Sequence, residues 1–210
     1  MSAKPGERKL QILQTLAGML EVPRAEKVTT AALAAKLDVS EAALYRHFAS
    51  KAQMFEGLIE FIETTLFGLI NKITTEQTDG LAQAAQIVAM LLNFAEKNPG
   101  MTRVLIGDAL VNEDERLQVR INQLHDRIEA SLKQSLRLAE AAAANADVAN
   151  VPNVTKAGSA AEGRGARVDP GAHANLLLSY VIGRWQLFAK SRFKRTPSEQ
   201  WDAQRRLLLG

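Results

Sequence analysis

The chain has 210 residues, 47% of them hydrophobic, and a formal net charge of +3. That length suits one domain of moderate size, or a small unit fused to a larger one, with enough apolar material for a buried core. There is no cysteine, and the three histidines, His47, His125 and His173, are far apart in sequence, which excludes disulfides and thiolate zinc sites and leaves a histidine metal cluster without support. The longest apolar runs, "IVAMLL" and "LLLSYVIG", fall well short of the roughly 20 residues that span a bilayer. The N-terminus lacks the apolar core of a signal peptide. These features predict a soluble, cytoplasmic protein. The mild positive charge permits nucleic acid as a partner without arguing for it.

Almost every periodic segment has helical spacing. From Arg8 to Glu21, the residues Ile12, Leu13, Leu16, Ala17, Met19 and Leu20 form one apolar face. Thr30 to Leu37 is a short alanine-rich piece. From Ser50 onward, Phe55, Leu58, Ile59, Ile62, Leu66, Leu69, Ile70 and Ile73 recur at three and four. "GLAQAAQIVAMLLNFAEK" is a further helix, stopped by Asn98-Pro99-Gly100, and a short one follows from Met101 to Val111. Leu117, Ile121, Leu124, Ile128, Leu132 and Leu136 mark a long amphipathic helix. The stretch from Ala143 to Val168 is rich in small residues and loses periodicity, which predicts a mobile loop. "NVT" at Asn153 matches a glycosylation acceptor but has no secretory context. Helix resumes at Asp169-Pro170 and carries Leu177, Val181, Trp185 and Phe188 on one stripe, with Leu178 and Ile182 beside it. Thr196 and Glu199 fit a capping box before a last helix with Trp201 and Leu207 to Leu209. No segment alternates as a strand. The reading is all-α, with about nine helices.

The stretch "TTAALAAKLDVSEAALYRHF", Thr29 to Phe48, fits a helix-turn-helix. Thr29 or Thr30 caps the first helix, and Leu33, Ala34 and Leu37 supply its buried side. Asp38-Val39 makes the turn, Ser40 caps the second helix, and Val39 and Leu44 fill the space between. In that geometry the second helix enters the major groove. Ser40, Glu41, Ala42, Ala43 and Arg46 then face DNA, Tyr45 and His47 lie at the phosphate edge, and Phe48 turns inward against Leu10, Leu13 and Phe55. Ser50 caps the next helix, with Gln53 completing a capping box, and Lys51 points at a phosphate. The same spacing also suits a plain helical hairpin with solvated polar ends.

These residues carry a family resemblance. "LYRHFASK" after "TTAALAAKLDVS" resembles the DNA-binding region of TetR-family regulators. "VSEAALYRHF", "MFEGLIEFIE", "NPGMTRVLIGDAL" and "RLQVRINQLHDRIEASLKQSLR" are similar, more narrowly, to the members of that family that act in nucleoid occlusion. The similarity runs from Ile12 to Leu138 and resumes from Val181 to Ala203. It implies a TetR-like homodimer. A helix-turn-helix domain, residues 1–52, sits on a helical core and dimerisation domain, residues 53–210. It also implies a nucleoid-associated antagonist of cell division, which binds palindromic double-stranded DNA as single or paired dimers. On DNA it would engage the tubulin-like division protein FtsZ, through the helices at Ser50–Thr74 and Leu81–Lys97. No cofactor is implied. Asp38 and Ala42 stand where many family members have Gly, and Ala49 where they have Pro; Asp tolerates the left-handed turn. The N-terminal tail is shorter and less basic than that resemblance leads one to expect, which bears on salt-dependent affinity.

On a helical wheel, Phe61 and Phe67 fall off the Phe55–Ile73 stripe on opposite flanks. Either is a contact for an apolar peptide or packs under a neighbouring helix. Asn98 at the helix stop and Arg103 just after it complete the candidate partner surface, Arg103 as a partner for an acidic peptide. Val181, Trp185 and Phe188, with Gly183, suit a close helix–helix dimer seam, or equally an internal core. "KSRFKR", Lys190 to Arg195, is a basic helix end favourable to the dipole. A ligand-responsive transcriptional repressor remains the alternative, with "IVAMLLNFA" lining its pocket. An enzyme has little support: the sequence shows no glycine-rich phosphate loop, no metal-ligand spacing and no nucleophile with a base nearby.

Overall fold

The structure, a computed structural model, describes residues 5–22, 28–149 and 168–210. Among the described residues there are nine α-helices and no strands. They are α1 (Pro5–Leu20), α2 (Thr30–Lys36), α3 (Glu41–Tyr45), α4 (Lys51–Glu76), α5 (Gly80–Lys97), α6 (Pro99–Leu105), α7 (Glu115–Ala149), α8 (Pro170–Lys190) and α9 (Trp201–Leu209). A 3₁₀ turn, Asp108–Leu110, lies between α6 and α7.

Helices α1 to α3 form a small head. α4 begins in that head and continues through the core as one unbroken helix, so the boundary expected at residue 52 falls within its first turn. Its buried stripe is Phe55, Leu58, Ile59, Ile62, Leu66 and Ile70. Leu69, expected on that stripe, is instead 39% exposed, because the helix turns it away from α5 and α7. α5 is deeply enclosed: Ile87, Val88, Leu91 and Leu92 have no exposure at all. α7 and α8 pack along it, with the Trp185 indole N–H donating to the Leu91 carbonyl at 3.2 Å. At the far end, a Cβ on Gly80 would stand 2.2 Å from the Ser135 carbonyl oxygen, so only glycine admits that crossing of α5 on α7. The buried Gln83 beside it donates to the Gln77 carbonyl at 2.7 Å and accepts from the Ser135 hydroxyl at 2.9 Å.

Three local expectations need correction. α7 continues to Ala149, into the stretch expected to be a mobile loop. "AEAAAANADVA" has no apolar stripe, yet alanine is the strongest helix former and propagates a helix already nucleated. The rest of that expectation, residues 150–167 with Asn153, lies outside the described residues. The Thr196–Glu199 capping box does not form. α9 starts at Trp201 after Gln200, which adopts φ 65°, and the Arg184 side chain takes the carbonyls of Thr196, Pro197 and Glu199 at 2.8–2.9 Å. At α4, Ser50 does cap, accepting from the Gln53 N–H at 3.1 Å, but the Gln53 side chain accepts from Ala49 rather than from Ser50.

His125 on α7 is the histidine placed to report on pH. Its ring centroid is 6.1 Å from that of Trp185, and its Nε2 is buried with no hydrogen-bond partner. Burial pushes its pKa down, opposed in part by a hydrogen bond to the Leu105 backbone and by Asp126. The folded state therefore favours the neutral ring. Its contribution is fully present above the unfolded value of about 6.5 and is lost as pH falls from there through the lower folded value. Urea unfolding at pH 7.5 and pH 5 is expected to show a loss of stability at the lower pH that is smaller in His125→Phe; an equal loss in both proteins would assign it to other groups.

Candidate nucleic-acid interface

The head is built on local caps. The Thr29 hydroxyl accepts from the Ala32 N–H at 3.1 Å and the Ser40 hydroxyl from the Ala43 N–H at 3.3 Å, so each short helix starts on a satisfied donor. Between them Asp38 adopts φ 53°, the left-handed conformation expected of it, and the Val39 N–H returns to the Ala34 carbonyl at 3.1 Å. Leu33, Ala34 and Leu44 are buried and Leu37 and Val39 pack against the same cluster. This is a closed helix-turn-helix whose buried side is continuous with the core of the rest of the chain. Phe48 is buried behind it, its ring edge lying where a Cβ on Gly57 would approach within 3.0 Å, with Leu13 also at that point. Leu10, expected among its neighbours, is 39% exposed.

The outward face is polar. Thr29, Ser40, Glu41, Ala42, Tyr45 and Arg46 are exposed, while Thr30, Ala43 and His47 are half-buried. The Thr30 hydroxyl donates to the Glu41 carboxylate at 2.5 Å and accepts from the Tyr45 hydroxyl at 3.4 Å. That network ties the start of α2 to both ends of α3 and holds the Glu41 charge against α2. Arg46 follows α3 as its C-cap, and its guanidinium has no ion pair among the described residues. It is the long cation this face presents outward. Lys51 is not presented in that way: its ammonium is paired with Glu113 at 2.5 Å.

The four residues expected to meet a protein partner fall in two places. On α4, Phe61 and Phe67 are both half-buried against the core, and the Arg127 guanidinium covers the Phe67 ring at 3.8 Å from its centroid. At the α5–α6 corner, the Asn98 amide donates to the Phe94 carbonyl at 2.7 Å. The Arg103 side chain is committed to Asp108 at 2.6 Å and to the Leu20 carbonyl at 3.1 Å, so it serves the joint with α1 rather than an outside carboxylate. A cleft of about 510 Å³ opens between α4 and α7, lined by Ile70, Asn71, Thr74, Ser131, Gln134 and Leu138 among others, with no charged side chain.

A family profile for the C-terminal domain of tetracyclin repressor-like proteins, of SlmA-like type, matches residues 78–210, and the profile of bacterial regulatory proteins of the tetR family matches residues 25–58. The nucleoid occlusion factor SlmA of Alteromonas mediterranea is 47% identical over 203 residues, 97% of this chain and 94% of that protein. This chain belongs to the TetR family, in its SlmA branch. The SlmA of Shewanella pealeana is 47% identical over 214 residues, spanning 100% of this chain and 99% of that one. Among solved structures, a TetR regulator from Haloarcula marismortui (15% identity, 97% and 95% of the two chains, TM-score 0.70) and the TetR-family regulator PfmR from Thermus thermophilus (20%, 95% and 97%, 0.70) share the fold. TetR-family regulators act on DNA as dimers.

The expected dimer seam is corrected by the packing. Val181, Trp185 and Phe188 are 0%, 0% and 2% exposed within one chain: Val181 and Trp185 belong to the core shared with α5 and α7, and Phe188 packs against the Phe193 ring, 5.1 Å between centroids. The opposite side carries Leu176 at 51% exposure and Leu187 at 40%. Between them lies Gly183, with nothing within 4 Å of a would-be Cβ. Leu176, Gly183 and Leu187 recur at helical spacing and leave room for close approach of another helix. Sequence reasoning did not single out Leu176 and Leu187 as an outward apolar side; their signal was the second, sparser stripe on the same helix. Leu187→Glu is expected to yield monomers in sedimentation while the thermal melt stays near wild type. Trp185→Ala is expected to cost about 3–5 kcal/mol of stability instead.

Proposed function

We propose that this chain is a nucleoid occlusion factor. As a dimer it binds palindromic DNA with α3 of each protomer in the major groove, and from those sites it antagonises FtsZ ring assembly over the chromosome. The observation that carries the reading is the near-full-length identity, 47% over 97% of the chain, with proteins named for that role. It runs through the core as well as the head, so it extends beyond what DNA reading alone would require. The exposed cation Arg46 beside a capped helix-turn-helix pair supports the DNA half of the reading. The solid packing of Ile87, Val88, Leu91 and Leu92 supports it against a ligand-responsive repressor, since that segment would have lined the pocket.

A groove-facing arginine read against a base contributes about 1–3 kcal/mol of discrimination. Arg46→Ala is therefore expected to lower specific affinity by about tenfold or more while leaving the dimer intact; operator affinity at the wild-type level would reject α3 as the reading element. On the protein side, Phe61 lies at the flank of α4 with part of its ring outside the core. Phe61→Ala is expected to keep operator binding and weaken co-sedimentation with FtsZ polymers in the presence of operator DNA. Undiminished co-sedimentation would move the partner surface elsewhere.

A further inference from the structure

Lys51 opens α4, directly after the capping Ser50, in the head. Glu113 belongs to the core, in the segment between the Asp108–Leu110 turn and α7, where its backbone N–H bonds to the Leu110 carbonyl at 3.0 Å. The two charged groups meet at 2.5 Å, with the side chains only 22% and 10% exposed. The ammonium also lies 5.7 Å from the centroid of the Phe55 ring. A lysine at the first turn after a recognition helix is placed to reach a backbone phosphate. Here a carboxylate from the core holds it inward, in a setting that salt screens less than an open surface pair.

We infer that Glu113 keeps Lys51 off the DNA backbone, so that the core limits how much sequence-independent charge the head offers to DNA. The inference rests on reading α3 as the groove helix. Each phosphate contact strengthens operator and non-operator DNA alike, and non-operator DNA is in vast excess. Withholding a cation therefore sharpens occupancy of specific sites.

The test is the salt dependence of binding by the full-length dimer to operator and to unrelated duplex, for wild type, Glu113→Gln, Glu113→Ala, Lys51→Met and the double variant Lys51→Met/Glu113→Ala. Releasing one lysine per protomer should steepen the slope of log K against log salt by about 0.9 per protomer, worth about eightfold in affinity per protomer for each tenfold drop in salt. Glu113→Ala, which cannot accept from Lys51, should show the full effect on both duplexes, and Glu113→Gln should show it in part. Lys51→Met should leave the wild-type slope unchanged, and the double variant should return to that slope. A purely structural role for the pair would change the melting temperature of the single variants without steepening the slope. A shallower slope in Lys51→Met would place the lysine on phosphate already and overturn the inference, as would an unaltered slope in Glu113→Ala. Arg46→Ala tests the groove reading separately: retained operator preference there, with a steeper slope in Glu113→Ala, would sink that reading and leave the restraint on Lys51 standing.

Discussion

The joint between head and core depends on a close approach. A Cβ on Gly100 would stand 2.0 Å from the Ala17 carbonyl oxygen, so α6 lies against the last turns of α1 with no side chain between them. Arg103 then reaches across to the Leu20 carbonyl. It satisfies one of the acceptors that every helix C-terminus leaves open and brings a cation to the negative end of the dipole. Any larger residue at position 100 would wedge α6 away from α1 and carry Arg103 with it. The orientation of the DNA-reading face relative to the core therefore rests on a glycine and an arginine far from α3 in sequence.

A second set of ties runs through α4. Its first turn is held by the Lys51–Glu113 pair. Further along, Arg120 bonds to Glu63 at 2.8 Å, and Arg127 lies over Phe67 while remaining 3.8 Å from the other oxygen of Glu63. These are partly exposed ion pairs, each worth little by itself. Their consequence is geometric: α4 belongs to the head at one end and lies alongside α7 for the rest of its length, so the head has little freedom to turn without disturbing α7. α7 also reaches α6 through His125 and Leu105, and α8 through the His125 and Trp185 rings. In a dimer seated on the outward side of α8, the spacing of the two heads would be transmitted through that chain of contacts. Under the proposed role, such a stiff connection would keep the two heads at a fixed spacing on DNA.

Much of this architecture was legible from local pattern. Apolar residues at three and four placed the stripes of α1, α4, α5, α7 and α8. The caps Thr29, Ser40, Ser50 and Asp169 all accept the backbone N–H expected of them. Asp38 takes the left-handed turn. These features depend on a few neighbouring residues, and the interactions that create them are available before any tertiary contact forms. The end of α7 was misread for a related reason: composition alone does not separate an alanine-rich loop from an alanine-rich helix, and here the nucleated helix before it decides.

Which side of a helix meets which neighbour was decided only by the tertiary structure. The sequence by itself determined that α8 has an apolar stripe at Val181, Trp185 and Phe188. Only the packing of α5 and α7 against Val181 and Trp185, and of Phe193 against Phe188, buried that stripe and left Leu176, Gly183 and Leu187 as the outward side. Lys51, Arg103 and Phe67 carry the same lesson. Each has a chemistry readable in one letter, a cation or a ring suited to a partner. Each is met instead by a residue distant in the chain: Glu113, the Leu20 carbonyl and Arg127. Periodicity and capping are short-range and survive in a linear reading. The partner of a long, flexible charged side chain is set by which distant segments the fold brings within a few ångströms, and spacing along the chain carries no record of that distance.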